Sequence, residues 1–68
     1  MVRIDRIKFV TELAKRDWLI KDVAKRAGLS RATVGNVRHG KSCSPETGAA
    51  IAAALGMELA ELLEDPKC

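Results

Sequence analysis

Hydrogen-bonding side chains are concentrated between residues 30 and 41 of the sequence. If a helix begins after Ser30, a rotation of about 100° per residue places Val34 and Val37 on the same side of it. The opposite side then carries small and polar residues, which are Ala32, Gly35, Asn36 and His39. Such a face can come close to another molecule and present hydrogen-bonding groups to it.

The chemistry of this face fits the edges of base pairs in the major groove of DNA. Arg31 and Arg38 flank the face on one edge, and Thr33 lies on the other. An arginine fork pairs with O6 and N7 of guanine, an asparagine amide pairs with adenine, and an alanine methyl can touch the thymine methyl. A helix with such a face has the chemistry to read double-stranded DNA. The alternative is that Arg31 and Arg38 are ordinary solvated charges, which is the more common case for isolated arginines.

The sequence offers little for catalysis, metal binding or membrane insertion. His39 is the only histidine and has no catalytic partner, so we expect no enzyme and no cofactor. The two cysteines, Cys43 and Cys68, lack metal-ligand spacing and fit a reducing cytoplasm. The longest uncharged run, Thr47 to Met57, is much shorter than the ~20 residues that span a bilayer, and no export signal is apparent.

The net charge of +3 is distributed unevenly along the chain. Residues 1–41 hold eleven Lys/Arg against four Asp/Glu, a balance of +7. Residues 42–68 hold one Lys against five Asp/Glu, a balance of −4. The basic part is expected to meet a polyanion, and the alternative is an uneven solvated surface without a partner.

The elements that position these residues are all predicted to be helices. Sixty-eight residues make one domain, 1–68, and no run of alternating β-branched residues predicts a strand. Ser30 is a suitable N-cap and Gly40 a suitable residue after the last turn. The five predicted helices are about Asp5–Arg16, with Phe9, Val10 and Leu13 on its apolar face, Leu19–Ala27, Arg31–His39, Pro45–Leu55 and Glu58–Leu63.

The second and third helices have the residue types that a steep crossing requires. Ala24 is small where a partner helix must approach, and Gly28 suits a corner with positive φ. Leu29, Val34 and Val37 are spaced to fill the angle between the two helices. Each feature is weak alone, but together they predict a helix-turn-helix over about residues 20–39.

The segment IKDVAKRAGLSRATVGNVRHGKS resembles the helix-turn-helix of the lambda-repressor-like, Cro and XRE regulators. The similarity continues through SPETGAAIAAALGMELAELL and covers about residues 7–64. The resemblance implies a compact five-helix domain with a recognition helix at about 31–39. It also implies a transcriptional regulator, which we expect to be a repressor, and usually a homodimer on a palindromic operator.

The same resemblance implies roles for individual residues. Arg31, Ala32 and Asn36 stand at positions that read bases. The expected contacts to the DNA backbone or its flanks come from Ser30, Thr33, Arg38, His39, Lys41 and Ser44.

One departure from the family pattern lies at the start of the second helix. A polar pair, often Thr-Gln, usually stands there, and its Gln contacts a phosphate. Here the positions are occupied by Leu19 and Ile20, so this contact is lost. We expect the helix cap to shift to Asp17 and Lys21 to be a substitute for the phosphate contact.

Other expectations concern partners and the remaining conspicuous residues. The dimer surface is expected at the 41–44 loop, where two Cys43 thiols could approach, or at the Leu59–Leu63 segment, and no small-molecule ligand is expected. Trp18 is predicted to anchor the core, and Cys43 to be a plain loop thiol. The alternative function is an antitoxin-like interaction module that also binds DNA, although no extra toxin-binding segment is expected beyond Lys67.

Overall fold

Five α-helices make up most of residues 1–63, the part of the chain that this computed structural model describes. The all-α fold predicted from the sequence is confirmed. Each helix end lies within one residue of its predicted position, and most of the capping residues were recognised. The helices are α1 (Arg6–Arg16), α2 (Ile20–Ala27), α3 (Arg31–Arg38), α4 (Pro45–Leu55) and α5 (Leu59–Leu62).

Short polar side chains and glycines define most helix ends. The Ser30 hydroxyl accepts a hydrogen bond from the Thr33 N–H at 3.1 Å, and Ser44 caps α4 in the same way. Gly28 and Gly56 follow α2 and α4 with φ of 72° and 71°, a conformation that side chains with a Cβ disfavour. These caps satisfy backbone groups that the helices leave unpaired.

The cap of α2 differs from the prediction. Asp17 does not begin α2 but ends α1 in the left-handed conformation, with φ of 56° and its N–H donated to the Ala14 carbonyl at 3.2 Å. Leu19 is the N-cap of α2, and its side chain has no acceptor. The Asp22 carboxylate instead accepts from the Leu19 N–H at 2.9 Å. The start of α2 is therefore capped by a side chain from its own first turn, and not by the N-cap residue.

The apolar core receives a fully buried side chain from every helix. α2 packs against both α3 and α4, and α5 packs against α4. Val10 was predicted on the apolar face of α1 but is 40% exposed, because it lies about 100° around the helix from Phe9, which is buried with Leu13 on the core side. The largest fully buried side chains are Ile4, Phe9, Val23, Val34, Val37, Ile51 and Leu62.

The segment before α1 pairs with two distant parts of the chain, which the sequence did not indicate. Val2 and Cys43 exchange two backbone hydrogen bonds of 2.8 Å, and Ile4 forms a second antiparallel bridge with Leu63. These isolated pairs tie the loop after α3 and the end of α5 to the N-terminal segment.

Trp18 packs partly buried against the core, as predicted, and two guanidinium groups lie over its ring. Arg26 is 4.3 Å and Arg16 is 5.7 Å from the ring centroid. Arg16 also donates to Glu12 and to the Leu55 carbonyl, both at 2.7 Å. The hydrogen bonds that Glu12 accepts from Arg16 and Lys15 lower its pKa. Its contribution to stability is therefore present above the unfolded pKa and is lost as pH falls through the folded value.

The Cys43 thiol is expected to react slowly with thiol reagents. Its side chain is buried behind the pairing with Val2, and burial raises the pKa of the thiol, so little thiolate is present at neutral pH. In a Cys68→Ser variant, Cys43 is the one remaining thiol. Its reaction with a thiol reagent at pH 8 should be much slower than the reaction of glutathione and should become faster in urea. Cys68 lies outside the described residues. Equal rates for Cys43 and glutathione would contradict the buried position.

Candidate nucleic-acid interface

The turn between α2 and α3 holds α3 against the rest of the domain. The Leu29 N–H donates to the Ala24 carbonyl at 2.9 Å, and Ala24 is buried beneath the turn. Val34 and Val37 point into the core with almost no exposure. Because one side of α3 is anchored in this way, its opposite side is fixed toward solvent.

The outward side of α3 is small, polar and accessible. Ala32, Asn36 and His39 are exposed, and a Cβ placed on Gly35 would meet no heavy atom within 4 Å. Nothing in the described part of the chain therefore covers the middle of this face. A surface of this shape suits the close approach that a major groove requires.

The polar side chains that could read base edges are not used inside the domain. Arg31 is the first residue of α3 and is exposed, as is Asn36 five residues later. Within residues 1–63, neither side chain makes an intramolecular hydrogen bond or ion pair. Both retain their full hydrogen-bonding capacity for a partner.

Ser30 and Thr33 lie at the N-terminal edge of this face. Their hydroxyl oxygens are 2.8 Å apart, and either can be the donor. Because only one hydroxyl proton is used between them, the other can be donated outward. This pair can therefore cap α3 and still offer one donor to a phosphate.

The C-terminal end of α3 holds Lys41 in position. His39 is the C-cap, Gly40 has φ of 85°, and the Lys41 N–H donates to the Asn36 carbonyl at 3.0 Å. The Lys41 side chain is exposed beside the end of α3. Ser44 is half-buried, and its hydroxyl both accepts from and donates to Thr47, which leaves no hydroxyl proton for a ligand.

Arg38 lies toward α1 rather than beside Asn36. It lines a surface groove of about 270 Å³ with Arg6 and Ile7, and it also borders Leu19 and Ile20 at the start of α2. Arg6 reaches within 3.7 Å of the position that a Cβ on Gly40 would take. Arg6 was not assigned from the sequence, because only the fold brings the start of α1 to the end of α3.

Lys25 was also not assigned, and it lies beside the start of α3. It lines a second groove with Lys21 and Arg31. Its spacing of four residues from Lys21 was the available signal, since residues i and i+4 share one face of a helix.

No group of His, Cys, Asp and Glu in the described part of the chain could hold a metal ion. None of the helices described has the length and apolar content needed to cross a membrane.

Comparison with known families places most of the chain in one of them. A family profile described as the Cro/C1-type HTH DNA-binding domain matches residues 11–67, which is most of the chain. The match includes α2, the turn and α3, and it confirms the resemblance drawn from the sequence. Comparisons with curated proteins and with solved structures each gave no match.

Proposed function

Because the chain belongs to the Cro/C1-type helix-turn-helix DNA-binding domains, we propose that it is a sequence-specific transcriptional regulator that acts as a repressor in the cytoplasm. The observation that carries the proposal is the exposed outer side of α3, on which Arg31 and Asn36 have no partner within residues 1–63. The whole chain, 1–68, is then a single DNA-binding domain.

The proposed base contacts come from three exposed residues of α3. The Arg31 fork suits guanine O6 and N7, the Asn36 amide suits adenine, and the Ala32 methyl suits the methyl of thymine. Gly35 between them costs about 1 kcal/mol of helix stability relative to Ala, but it leaves room for the backbone to approach DNA. These residues set the sequence preference.

The proposed backbone contacts surround the base-reading face. A hydroxyl of the Ser30–Thr33 pair serves the N-terminal edge, and Lys41 serves the C-terminal end. Arg38 and His39 flank that same end. Ser44 can contribute only through backbone groups at the start of α4, because its hydroxyl is used in the cap. These contacts supply affinity and orientation rather than sequence preference.

Selection from random duplexes tests the proposed function. A single symmetric sequence should be enriched, with half-sites one helical turn, about 34 Å, apart. The enriched duplex should compete far better than a scrambled duplex of the same length. Recovery of unrelated sequences with equal affinities would contradict sequence-specific regulation.

The symmetric site follows from the small size of the recognition helix. One helix of eight residues contacts too few base pairs for tight and selective binding, so we propose a homodimer on a palindromic operator.

Cys43 is buried, so the 41–44 loop offers Lys41 and Ser42, not the thiol, to a second copy. Half-buried Leu59 and Leu63 offer the other surface. Sedimentation on the palindrome should give two chains per duplex, and a saturated 1:1 complex would contradict the dimer.

Lys41→Ala is expected to weaken binding to every DNA sequence by a similar factor. Loss of one phosphate contact should reduce the slope of log K against log salt by about one unit. Fluorescence anisotropy over a range of salt concentrations measures this slope. Lys15→Ala is the matched control, because Lys15 is paired with Glu12 on α1. A slope unchanged from the wild type would remove Lys41 from the phosphate contacts.

A second candidate function is the antitoxin-like interaction module, and one observation favours it. Ile7 and Leu19 are 69% and 61% exposed and, with Val10, leave an apolar surface bordered by Arg6 and Arg38. The occupant that fits is a protein segment carrying apolar and acidic side chains. Co-expression with a candidate toxin should give a complex that Leu19→Ser disrupts without loss of DNA binding. Self-association through this surface, or no complex, would contradict it.

A further inference from the structure

Two neighbouring grooves on the surface of α1 share part of their lining. One has a volume of about 270 Å³ and is lined by Ile7, and the other has a volume of about 240 Å³ and is lined by Leu19. Val10 and Arg38 line both of them. The two therefore form one depression, here called the α1 groove, that extends from the start of α1 to the start of α2.

The α1 groove holds most of the exposed apolar surface of the domain. Ile7, Val10 and Leu19 are the strongly exposed large apolar side chains of residues 1–63, apart from Met1. Single exposed apolar residues are ordinary on a protein surface, but several in one place indicate a site of interaction. Since these three line one depression, the α1 groove is a candidate for a protein contact.

The charges around the α1 groove indicate what can occupy it. Arg6 and Arg38 line it, both are exposed, and neither has an ion pair or hydrogen bond within residues 1–63. Among the described residues, no Asp or Glu lines either half. In a two-fold contact the same surface meets itself, so arginines would face arginines if a second copy bound here. An occupant that carries acidic beside apolar side chains complements the groove in both respects.

The α1 groove also overlaps the proposed DNA-binding surface at one residue. Arg38 is the last residue of α3 and a proposed contact to the DNA backbone, so a carboxylate in the groove and a phosphate compete for one guanidinium. Ile20, the first residue of α2, lines the groove as well. Because the first helix of a helix-turn-helix crosses the DNA backbone, an occupant at the start of α2 lies close to the path of the strand.

We propose that the α1 groove binds a protein segment with apolar and acidic side chains, and that this segment and DNA exclude each other. The inference rests on the proposed function and adds to it a means of releasing the operator. Arg31 and Asn36 lie outside the groove, so the partner changes occupancy and leaves the sequence preference unchanged. By linkage, DNA must weaken binding of the partner by the same factor.

Short random peptides displayed on phage supply the probe. They are selected on the wild-type chain and counter-selected on Ile7→Ser/Val10→Thr, which makes the α1 groove polar. The enriched peptides should combine apolar side chains with Asp or Glu. A synthetic copy of the best peptide should bind the double variant about tenfold or more weakly than the wild type, because apolar contacts are lost.

Arg6→Gln tests the charge of the groove without touching a proposed DNA contact. Loss of one exposed ion pair should weaken peptide binding by about two- to fivefold. Lys8→Gln is the matched control, because Lys8 also lies on α1 but contacts the Leu63 carbonyl and does not line the groove. Circular dichroism checks that each variant is folded.

Anisotropy of the labelled selected duplex measures the exclusion. The apparent Kd for the duplex should about double when the free peptide concentration equals the Kd of the peptide. A scrambled peptide of the same composition, and so of the same charge, should displace far less DNA. Ile7→Ser/Val10→Thr should bind the duplex as the wild type does, and the peptide should no longer displace it.

Several outcomes would overturn the inference. Simultaneous binding of peptide and duplex would remove the exclusion and leave the proposed function standing. Equal displacement by the scrambled peptide would reduce the effect to net charge. Self-association of the free wild type that Ile7→Ser/Val10→Thr abolishes would assign the groove to a second copy. A wild type that selects no duplex would remove the proposed function and the exclusion with it, whereas peptide binding to the groove would still be measured separately.

Discussion

Ala24→Leu is expected to reduce affinity for the selected duplex by about tenfold or more while most of the helical circular dichroism remains. Ala24 is 3% exposed, and its carbonyl accepts from Leu29 in the turn. Three added carbons must either displace α3 or enter the groove beside Arg31. Overpacking typically costs about 1–3 kcal/mol of folding free energy. A displaced α3 can no longer enter the major groove of the DNA while the rest of the domain contacts the DNA backbone.

The matched control for this variant is Ala53→Leu on α4. Ala53 is exposed, so the same substitution adds apolar volume without changing the angle between α2 and α3. Anisotropy should show near-normal affinity for the control and a large loss for Ala24→Leu. Normal affinity in both would mean that the helix-turn-helix lies elsewhere in the chain.

Arg31→Ala is expected to cost about 1–3 kcal/mol of binding free energy on the selected duplex and to relax preference at one base pair. The guanidinium is exposed in the first turn of α3 and has no partner within residues 1–63, so its removal should cost the fold little. Repeating the duplex selection with the variant measures the relaxed position directly.

Arg31→Lys separates recognition from charge. Lysine retains the positive charge but lacks the planar fork that pairs with guanine through two hydrogen bonds. We expect a salt slope near that of the wild type and a loss of discrimination close to that of Arg31→Ala. If Arg31→Ala instead weakens specific and scrambled duplexes equally, the side chain only neutralises phosphate.

The helix bounds could be predicted because the chain marks them chemically. Ser30 and Ser44 have an acceptor at the N-cap, Gly28 and Gly56 adopt positive φ, and Pro45 suits the first helical position. The outward side of α3 also followed from periodicity, since buried Val34 and Val37 define the other side. These features depend on neighbours within one or two turns.

Features that depend on tertiary contacts were missed or misplaced. The Val2–Cys43 and Ile4–Leu63 bridges join segments far apart in sequence and have no local signature. Asp17 was wrongly expected to cap the start of α2. An aspartate can equally begin a helix or, as here, end one in the left-handed conformation. For the site, Arg6 was missed because packing among the helices brings it to the end of α3, whereas the spacing of Lys25 from Lys21 was a local signal that was not used.

The measurement that most directly tests the central claim is an NMR titration of the isotopically labelled full chain with the selected duplex. The claim is that the outer side of α3 enters the major groove. It predicts the largest backbone amide shifts from Ser30 to Lys41, with further shifts along α2 near Lys21 and little change at exposed Ala53 on α4. The largest shifts on α4 and α5, or on α1 around Ile7, with α3 unperturbed, would contradict it.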